Sequence, residues 1–481
     1  MARQNPLFDS RQAPLPYLSM VRSHYIGAAF CLVSALSGAW VVAFYLWTGQ
    51  TRQSLDDIRK SGVLEAVAVE MPARHERRDG EWRGIEHEIA SRFAASLGLR
   101  LAVRTVAGPG KVLDALRNNE AHLALNGASL KRAASLGLPV SRTTRRVRLQ
   151  VAYQRERLRP RAVQHLRGRP LSVVAGGAEV EYLRGLRDEY PWLQWTETGL
   201  THEQLLREVH DGATALAVAG DDVIAVNRLH YPKVQVAFTL SDLGERPALG
   251  FALARRSDPQ LVRLLDRFIG RLRSSGEMGR IADVYLGPAE TVDVYDTQTF
   301  HNRVAAVLPY YRNWFLQFAQ LNGLDWRLLA SVSYQESHWD PDAKSRTGVR
   351  GIMQITENTA KSYGLPIQNL HDPAPSIRVG AKFLADLIAR QPADVQPPDR
   401  LWFALASYNI GFGHVMDARQ LARDDGADPS RWSDLRRYLP LKQQRKWYKK
   451  TPRGYARGRE AVTFVNRVRK YYEILSFLEG G

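Results

Sequence analysis

The chain of 481 residues contains a single cysteine, Cys31. No intrachain disulfide can form and no zinc cluster can be built from thiolates, so neither device organises this fold. Acidic residues are also in deficit: 49 Asp and Glu stand against 67 Lys and Arg, a formal charge of +18. That imbalance favours an anionic partner, whether nucleic acid, a membrane surface or an acidic polymer. Internal repeats and long low-complexity segments are absent, so a repeat architecture is not indicated. What is present is ample apolar material, 44% of residues, enough for a core in each of two or three domains.

Residues 1–24 carry Arg3, Arg11 and Arg22 against one acid, Asp9. Tyr25 to Trp47 then runs for 23 residues without a charge, bordered by His24. As a helix this is roughly 34 Å long, enough to cross a bilayer. The basic flank places the N-terminus inside and the remainder outside. The run reads either as a membrane anchor or as a signal peptide cut after a small residue such as Ala39, which would leave Trp40–Trp47 as an apolar tail. A buried helix of a soluble protein is the remaining alternative. Cys31 does not read as a lipid-attachment site, because Phe30 precedes it and the apolar run continues beyond it.

Residues 48–61 form a polar spacer, and from residue 62 the pattern changes. Apolar runs at Leu64–Val69, Leu99–Val106, Leu171–Ala175, Ala215–Ala219 and Leu249–Ala254 alternate with helical stretches such as Ile85–Leu97, where Ile85, Ile89, Phe93 and Leu97 recur every fourth position. Strand–helix alternation predicts an α/β domain over 62–288 with largely parallel strands, in two lobes joined by a hinge. Residues 289–300 are a connector too short for free tumbling, so the flanking domains are expected to touch. From 301 to 481 the pattern is helical, with helices expected at 300–321, 326–338, 356–363, 375–390, 399–408 (capped by Asp399), 413–423 and 457–478.

Within the helical part, LLASVSYQESHWDPDAKSRTGVRGIMQI at 328–355 carries the clearest chemistry. Asp325 is the expected N-cap and Trp326 the first helical residue. Leu329, Val332 and Ser333 share a face with Glu336, which follows them by seven, four and three positions. A carboxyl at the end of an apolar stripe is held toward its neutral form, the state a general acid needs. A buried structural Glu paired to a base is the alternative that spacing leaves open. Asp340-Pro341 ends the helix, and Thr356 can cap the next one.

QES at 335–337, Ser345, Gly348 and GIMQI at 351–355 resemble the signature of the Slt-type lytic transglycosylases. SYNIGFG at 407–413 is similar to that family's AYNxGxG element, and EAVTFVNRVRKY at 460–471 to its C-terminal element. The resemblance implies an all-α, goose-lysozyme-like catalytic domain. It implies Glu336 as the catalytic acid, with Ser345, Gln354, Tyr408, Asn409 and Glu460 binding the sugar; Phe464 stands where the family commonly has tyrosine. Upstream, SGVLEAVAV at 61–69, RGIEHEIASRFAASLGLRLAV at 83–103 and FIGRLRSSGEMGRIADVYLG at 268–287 resemble the family 3 periplasmic solute-binding proteins. That likeness implies a ligand between two lobes. The family's carboxylate-binding arginine falls near Arg132, and Asp221 or Asp222 stands in for its amine-binding acid, whose usual position holds Ala215. The departure at Ala215 argues against a free amino acid as ligand and leaves a cell-wall peptide as the candidate.

Glycosidases usually work with two carboxylates. The motif supplies one, Glu336; Asp340 and Asp342 are the nearest others in the chain. One acid suffices where the muramic-acid C6 hydroxyl attacks C1 of its own residue, giving a 1,6-anhydro sugar. The resemblance therefore implies a lyase acting on peptidoglycan glycan strands, with no cofactor or metal. It also implies an envelope location facing the periplasm, either peripheral to the outer membrane or held by an inner-membrane anchor. A muramidase that delivers water and a glycan sensor without activity are the competing readings. Trp339 and Trp402 are candidate sugar platforms or core residues. Finally, Arg436–Arg459 holds ten Lys and Arg in 24 positions and no acid, with Trp447, Tyr448 and Tyr455 interleaved. Such a mixture can bind single-stranded nucleic acid. An export segment disfavours that partner and leaves peptidoglycan carboxylates, membrane lipid or plain solvation.

Overall fold

The computed structural model describes residues 54–125, 128–289, 293–345 and 349–479. The expectations for the Tyr25–Trp47 run, Cys31, Gly348 and residues 290–292 of the connector lie outside this set. Among the described residues no helix is long and apolar enough to cross a membrane.

The first lobe is built on Val63–Ala68, flanked in parallel by Arg100–Thr105 and Leu123–Ala124, with Leu64 opposite Leu101. The Ile85–Ser96 helix lays Ile85, Ile89 and Phe93 onto this sheet, and the Pro259–Ser274 helix adds Leu261, Leu265 and Ile269 to the same core. Two residues expected in a polar spacer belong here as well. Leu55 and Ile58, three apart on the Leu55–Ser61 helix, are buried in this core, so the domain begins before residue 62.

The second lobe has five strands in the order Thr196–Thr198, Leu171–Val174, Leu216–Gly220, Leu149–Gln154, Val234–Thr239. The first three run parallel; Leu149–Gln154 runs antiparallel to both of its neighbours, so this sheet is mixed. The chain enters this lobe through Ala128–Ser129 and Arg145–Arg146 and leaves it through Ala248–Gly250, three short strands that pair with one another. These are the crossings about which two lobes can hinge.

The C-terminal part is helical. Val294–Ala306 begins inside the expected connector, because Asp293 caps it through Tyr295 N and Asp296 N. The single helix expected at 300–321 is three pieces, Val294–Ala306, Leu308–Tyr310 and Arg312–Leu321, broken at Pro309. Trp326–Ser337 starts on its Asp325 cap and Glu357–Ser362 on its Thr356 cap, as the sequence indicated. Asp399 is not a cap: it is the first helical residue of Asp399–Ile410, and its carboxylate accepts from Trp432 N at 2.9 Å. Trp432–Tyr438 and Arg445–Tyr448 are short helices that a 3.6-residue pattern is too brief to reveal. The long Gly458–Glu479 helix packs on Trp326–Ser337, on Asp399–Ile410 and, on its other side, on Asp221–His230 of the second lobe.

The two parts share a continuous interior. Ala73, Val226 and Leu229 from the lobes join the same apolar cluster as Phe300, Leu329 and Tyr471. His230 stacks flat on Phe477, 3.7 Å between centroids. Ion pairs tie the rim: Arg78 and Arg83 to Glu473, Arg431 to Glu277, Arg436 and Arg469 to Asp283. The expectation that the domains touch holds.

Candidate active site and interlobe cleft

Glu336 occupies the last turn of Trp326–Ser337, below Leu329, Val332 and Ser333, all buried. Burial alone pushes its carboxyl up to about 8, and no cation pairs with it among the described residues. The structural ion pair that spacing left open is therefore not found among the described residues. At neutral pH this carboxyl keeps its proton.

The helix is stitched to the 351–355 turn from one side. Ser333 Oγ and Ser337 Oγ both donate to the Ile352 carbonyl, at 3.0 and 2.8 Å. Tyr408, from Asp399–Ile410, closes the other side by donating to the Met353 carbonyl at 3.0 Å. Burial raises the Tyr408 phenol well above its usual range, and the nearby Glu336 carboxyl adds to the shift, so the phenol stays a donor. Gly351 has φ +85, and a Cβ there would come within 1.9 Å of the Leu370 carbonyl, so glycine alone fits this turn.

The remaining sequence candidates surround this centre. Gln354, itself at φ +48, donates through Nε2 to Ala343 O and Gly351 O, both at 3.0 Å. Ser345 Oγ accepts from Val349 N at 3.0 Å. Asn409 is exposed next to Tyr408. Glu460 opens the Gly458–Glu479 helix, is 60% exposed and pairs with Arg457 at 3.6 Å. Four positions on, Phe464 lies parallel to Tyr408 at 6.3 Å, a stacking role in place of a hydroxyl. Trp339 is not a sugar platform. His338 and Trp339 both take positive φ after the helix end, which turns the indole back to donate to Ala330 O at 2.8 Å, 1% exposed. Trp402 is likewise buried, under the Arg469 guanidinium. Asp340 and Asp342 are exposed, so neither forms a buried carboxyl pair with Glu336.

In the N-terminal part the lobes are in contact. A Cβ at Gly176 of the second lobe would lie 3.0 Å from Gly110 N of the first. The space between them that reaches Arg74 and Gly220 is about 50 Å³, lined also by Ser129, Arg132, Glu179 and His202, while a more open space of about 330 Å³ lies on the other side of Arg132 against Gly176 and Glu197. Arg132, on the short Leu130–Ser135 helix, is exposed at this wall, and no carboxylate pairs with it among the described residues. Asp221 is not brought to the wall. It opens the Asp221–His230 helix and is held by Arg145 and Arg148, each at 3.2 Å. Adjacent helical positions point about 100° apart. Asp222 is therefore turned inward, where it shares Arg145 with Asp221 and takes Arg74 Nε and Nη2 at 2.8 and 3.0 Å across the lobes. Sequence reasoning missed Arg74 and the Glu179–His202 contact at 3.1 Å, since neither sits in a short-range pattern.

Two periplasmic-binding-protein-like α/β lobes docked on a helical domain with one carboxyl raised by burial define a two-part class of protein, a binding-protein fold joined to a helical catalytic domain. Residues 66–288 match the bacterial extracellular solute-binding proteins, family 3, and residues 313–430 match the transglycosylase SLT domain. The chain is 36% identical over 450 residues to a membrane-bound lytic murein transglycosylase F of Stutzerimonas stutzeri (strain A1501), covering 91% of each chain. It is 35% identical over 482 residues to the protein of that name in Aeromonas hydrophila subsp. hydrophila, covering 98% of this chain and 92% of that one. Among solved structures, an amino acid ABC transporter substrate-binding protein of Streptococcus pneumoniae bound to L-arginine matches 50% of this chain and 100% of its own, at 16% identity and a TM-score of 0.44. The chain belongs to the membrane-bound lytic murein transglycosylase F family. It is a lytic transglycosylase.

Proposed function

We propose that Glu336 is the single acid and base of this reaction, acting on the β-1,4 bond between N-acetylmuramic acid and N-acetylglucosamine in peptidoglycan. The observation that carries this reading is a carboxyl raised by burial, with no counter-cation pairing with it among the described residues and with Asp340 and Asp342 both exposed. Its proton passes to the leaving glycosidic oxygen as the C1–O bond breaks. The muramic C6 oxygen then bonds to C1, and its proton goes to the Glu336 carboxylate, restoring the acid and leaving a 1,6-anhydro end. Tethering replaces a second carboxylate, because an attacking hydroxyl on the same sugar has a high effective molarity. Tyr408 and the Ile352–Met353 carbonyls position the acid; Ser345, Gln354, Asn409 and Glu460 bind the sugar around it. Glu336→Gln keeps the shape and removes the proton, and muropeptide release should fall by about 10²–10⁴-fold. Release near the unaltered rate would refute the assignment.

The chain is read as a cytoplasmic or leader segment at 1–24, a signal peptide or anchor at 25–47, a spacer that ends before the Leu55–Ser61 helix, a regulatory domain from that helix to residue 288, a short connector, and a goose-lysozyme-like catalytic domain from the Val294–Ala306 helix to residue 481. The catalytic part faces the periplasm, attached at the outer membrane or through the anchor. A C-terminal export reporter tests this topology, and cytoplasmic activity of the reporter would overturn it.

The lobes are read as a sensor for cell-wall peptides. Arg132, exposed and without a carboxylate partner among the described residues, supplies a guanidinium for a peptide carboxylate through a charge-assisted hydrogen bond. The inner space of about 50 Å³ holds little more than water, so a peptide that reaches past Arg132 toward Arg74 has to open the lobes and part Arg74 from Asp222. Titration of peptidoglycan-derived peptides into the intact protein, following heat and cleavage rate together, tests this. Binding with no change in rate would exclude regulation.

A further inference from the structure

The basic stretch before the last helix is not absorbed by either site. Its course is fixed from within. Lys442 turns inward, fully buried, with its ammonium on Asp417 at 2.6 Å and on Thr451 Oγ1. Asp417 also accepts from Arg453 N at 3.0 Å. Gly458 lies against the Leu439 carbonyl, where a Cβ would come within 1.7 Å. One cation is thus structural, and the others are turned out by the same framework.

Arg445, Lys446, Lys449, Lys450, Arg453 and Arg459 are exposed, and no carboxylate pairs with any of them among the described residues. The arginines of the domain interface contrast with this, each matched to an acid. The ammonium groups of Lys446 and Lys450 sit 5.6 and 5.1 Å from the Trp447 ring, which is packed against the helical core. The loop is therefore an ordered platform of like charge, an arrangement that repels itself unless an anion occupies it.

Its position is next to the site. The Arg453 guanidinium packs on Gly413, where a Cβ would lie 2.9 Å from Nε, in the segment that follows Tyr408 and Asn409. At its other end the loop runs into the turn that carries Glu460 and, four residues on, Phe464 against Tyr408. Of the loop's aromatic side chains only Tyr455 is strongly exposed, at 54%, so little is available to insert into a bilayer.

We propose that the Arg445–Arg459 loop is an anion-binding rim of the glycan cleft that takes the free carboxylates of the peptides carried on the strand being cleaved. This rests on the reading of peptidoglycan as the substrate. It adds that the enzyme recognises the charged peptide through this loop as well as the sugar.

The test reads binding without cleavage. Full-length Glu336→Gln protein is sedimented with insoluble sacculi, with and without the added substitutions R445Q, K446Q, K449Q and K450Q, across a range of NaCl. The same is done with sacculi whose carboxylates have been amidated by carbodiimide. Retention should fall with salt, and the four substitutions should weaken it about tenfold, four exposed pairs each contributing modestly. Amidation should weaken it to the same extent, with no further loss when the two are combined. Equal retention by both proteins overturns the proposal. So does a loss on substitution that persists undiminished on amidated sacculi. Loop-dependent retention by phosphatidylglycerol vesicles with none by sacculi also overturns it and assigns the loop to a lipid surface. Since turnover is not measured, an error in the role of Glu336 leaves these outcomes unchanged. Matched melting curves for the two proteins confirm that the exposed substitutions leave the fold intact.

Discussion

Arg327, the second residue of the helix that carries Glu336, holds Asp79 of the first lobe through two parallel hydrogen bonds of 3.0 Å, across 248 positions of sequence. The same guanidinium grips Asp325, the N-cap of that helix, and Asp325 in turn accepts from Tyr472 at 2.8 Å. Asp79 sits at the tip of the Glu76–Arg83 hairpin, whose Arg83 reaches Glu473 on the last helix. Arg74, two residues before the hairpin, spans the interlobe cleft to Asp222. A movement of the lobes thus has a short physical route to the start of the catalytic helix.

Asp79→Asn should separate coupling from stability. Asp79 is 53% exposed, so losing the pair should cost no more than about 1 kcal/mol in thermal unfolding. The factor by which a cleft ligand changes the cleavage rate should nonetheless fall toward one. Unchanged coupling in this variant would show that the hairpin is not the route.

Asp222→Asn should behave oppositely. Arg74 and Asp222 are both nearly inaccessible, and leaving the guanidinium without its carboxylate partner should destabilise the protein by about 3 kcal/mol, read as a lowered midpoint in urea. A midpoint within error of the unaltered protein would mean that the buried Glu86 carboxyl takes over the pairing with Arg74.

Glu336→Gln should be more stable than the unaltered chain, and increasingly so as pH rises. A carboxyl raised to about 8 in the folded state binds its proton more tightly there than in the unfolded chain, where its value is 4.5. Stability therefore falls between pH 4.5 and 8 and levels off above. The amide has no such dependence, so the gap in melting temperature should open across this window and correspond to roughly 2–4 kcal/mol, allowing for partial exposure. A constant gap would contradict the raised value. Cleavage should decline above pH 8 as the acid ionises.

On the acid side the weak point is the domain interface. Burial lowers His230, stacked on Phe477, to about 3, and lowers His75, stacked on Trp82, to about 4. Around His230 lie Glu473, which favours protonation, and Arg78, Arg83 and His301, which oppose it. The unfolded chain binds these protons from pH 6.5 downward while the folded chain does not, so stability should drop as pH falls from 6.5 toward 4. His230→Phe preserves a flat ring on Phe477 and should reduce that slope; an unchanged slope would assign the loss to other groups.

The helix face of Leu329, Val332, Ser333 and Glu336 was legible in the sequence because its information is local: a 3.6-residue period, a cap and a breaker. The same holds for the Thr356 cap and for the strand starting at Val63. What failed depended on direction rather than position. Asp221 and Asp222 are neighbours, and only the turn of the helix decides which one meets Arg74. Trp339 follows the acid closely, yet two left-handed residues fold its ring into the interior. The Leu55–Ile58 pair looked like part of a polar spacer until a core was there to receive it. Contacts such as Asp79–Arg327 and Arg83–Glu473 leave no sequence pattern at all, since each partner is a charged residue among many in a strongly basic chain.

One carboxyl suffices in the proposed reaction because the sugar supplies its own nucleophile. Cleavage of sacculi in ¹⁸O-labelled water, with the products resolved by mass spectrometry, tests it most directly. The products should be 1,6-anhydromuramoyl ends that carry no label, lost in parallel when Glu336 becomes Gln. Reducing muramic ends carrying one ¹⁸O would contradict it and make the enzyme a hydrolase.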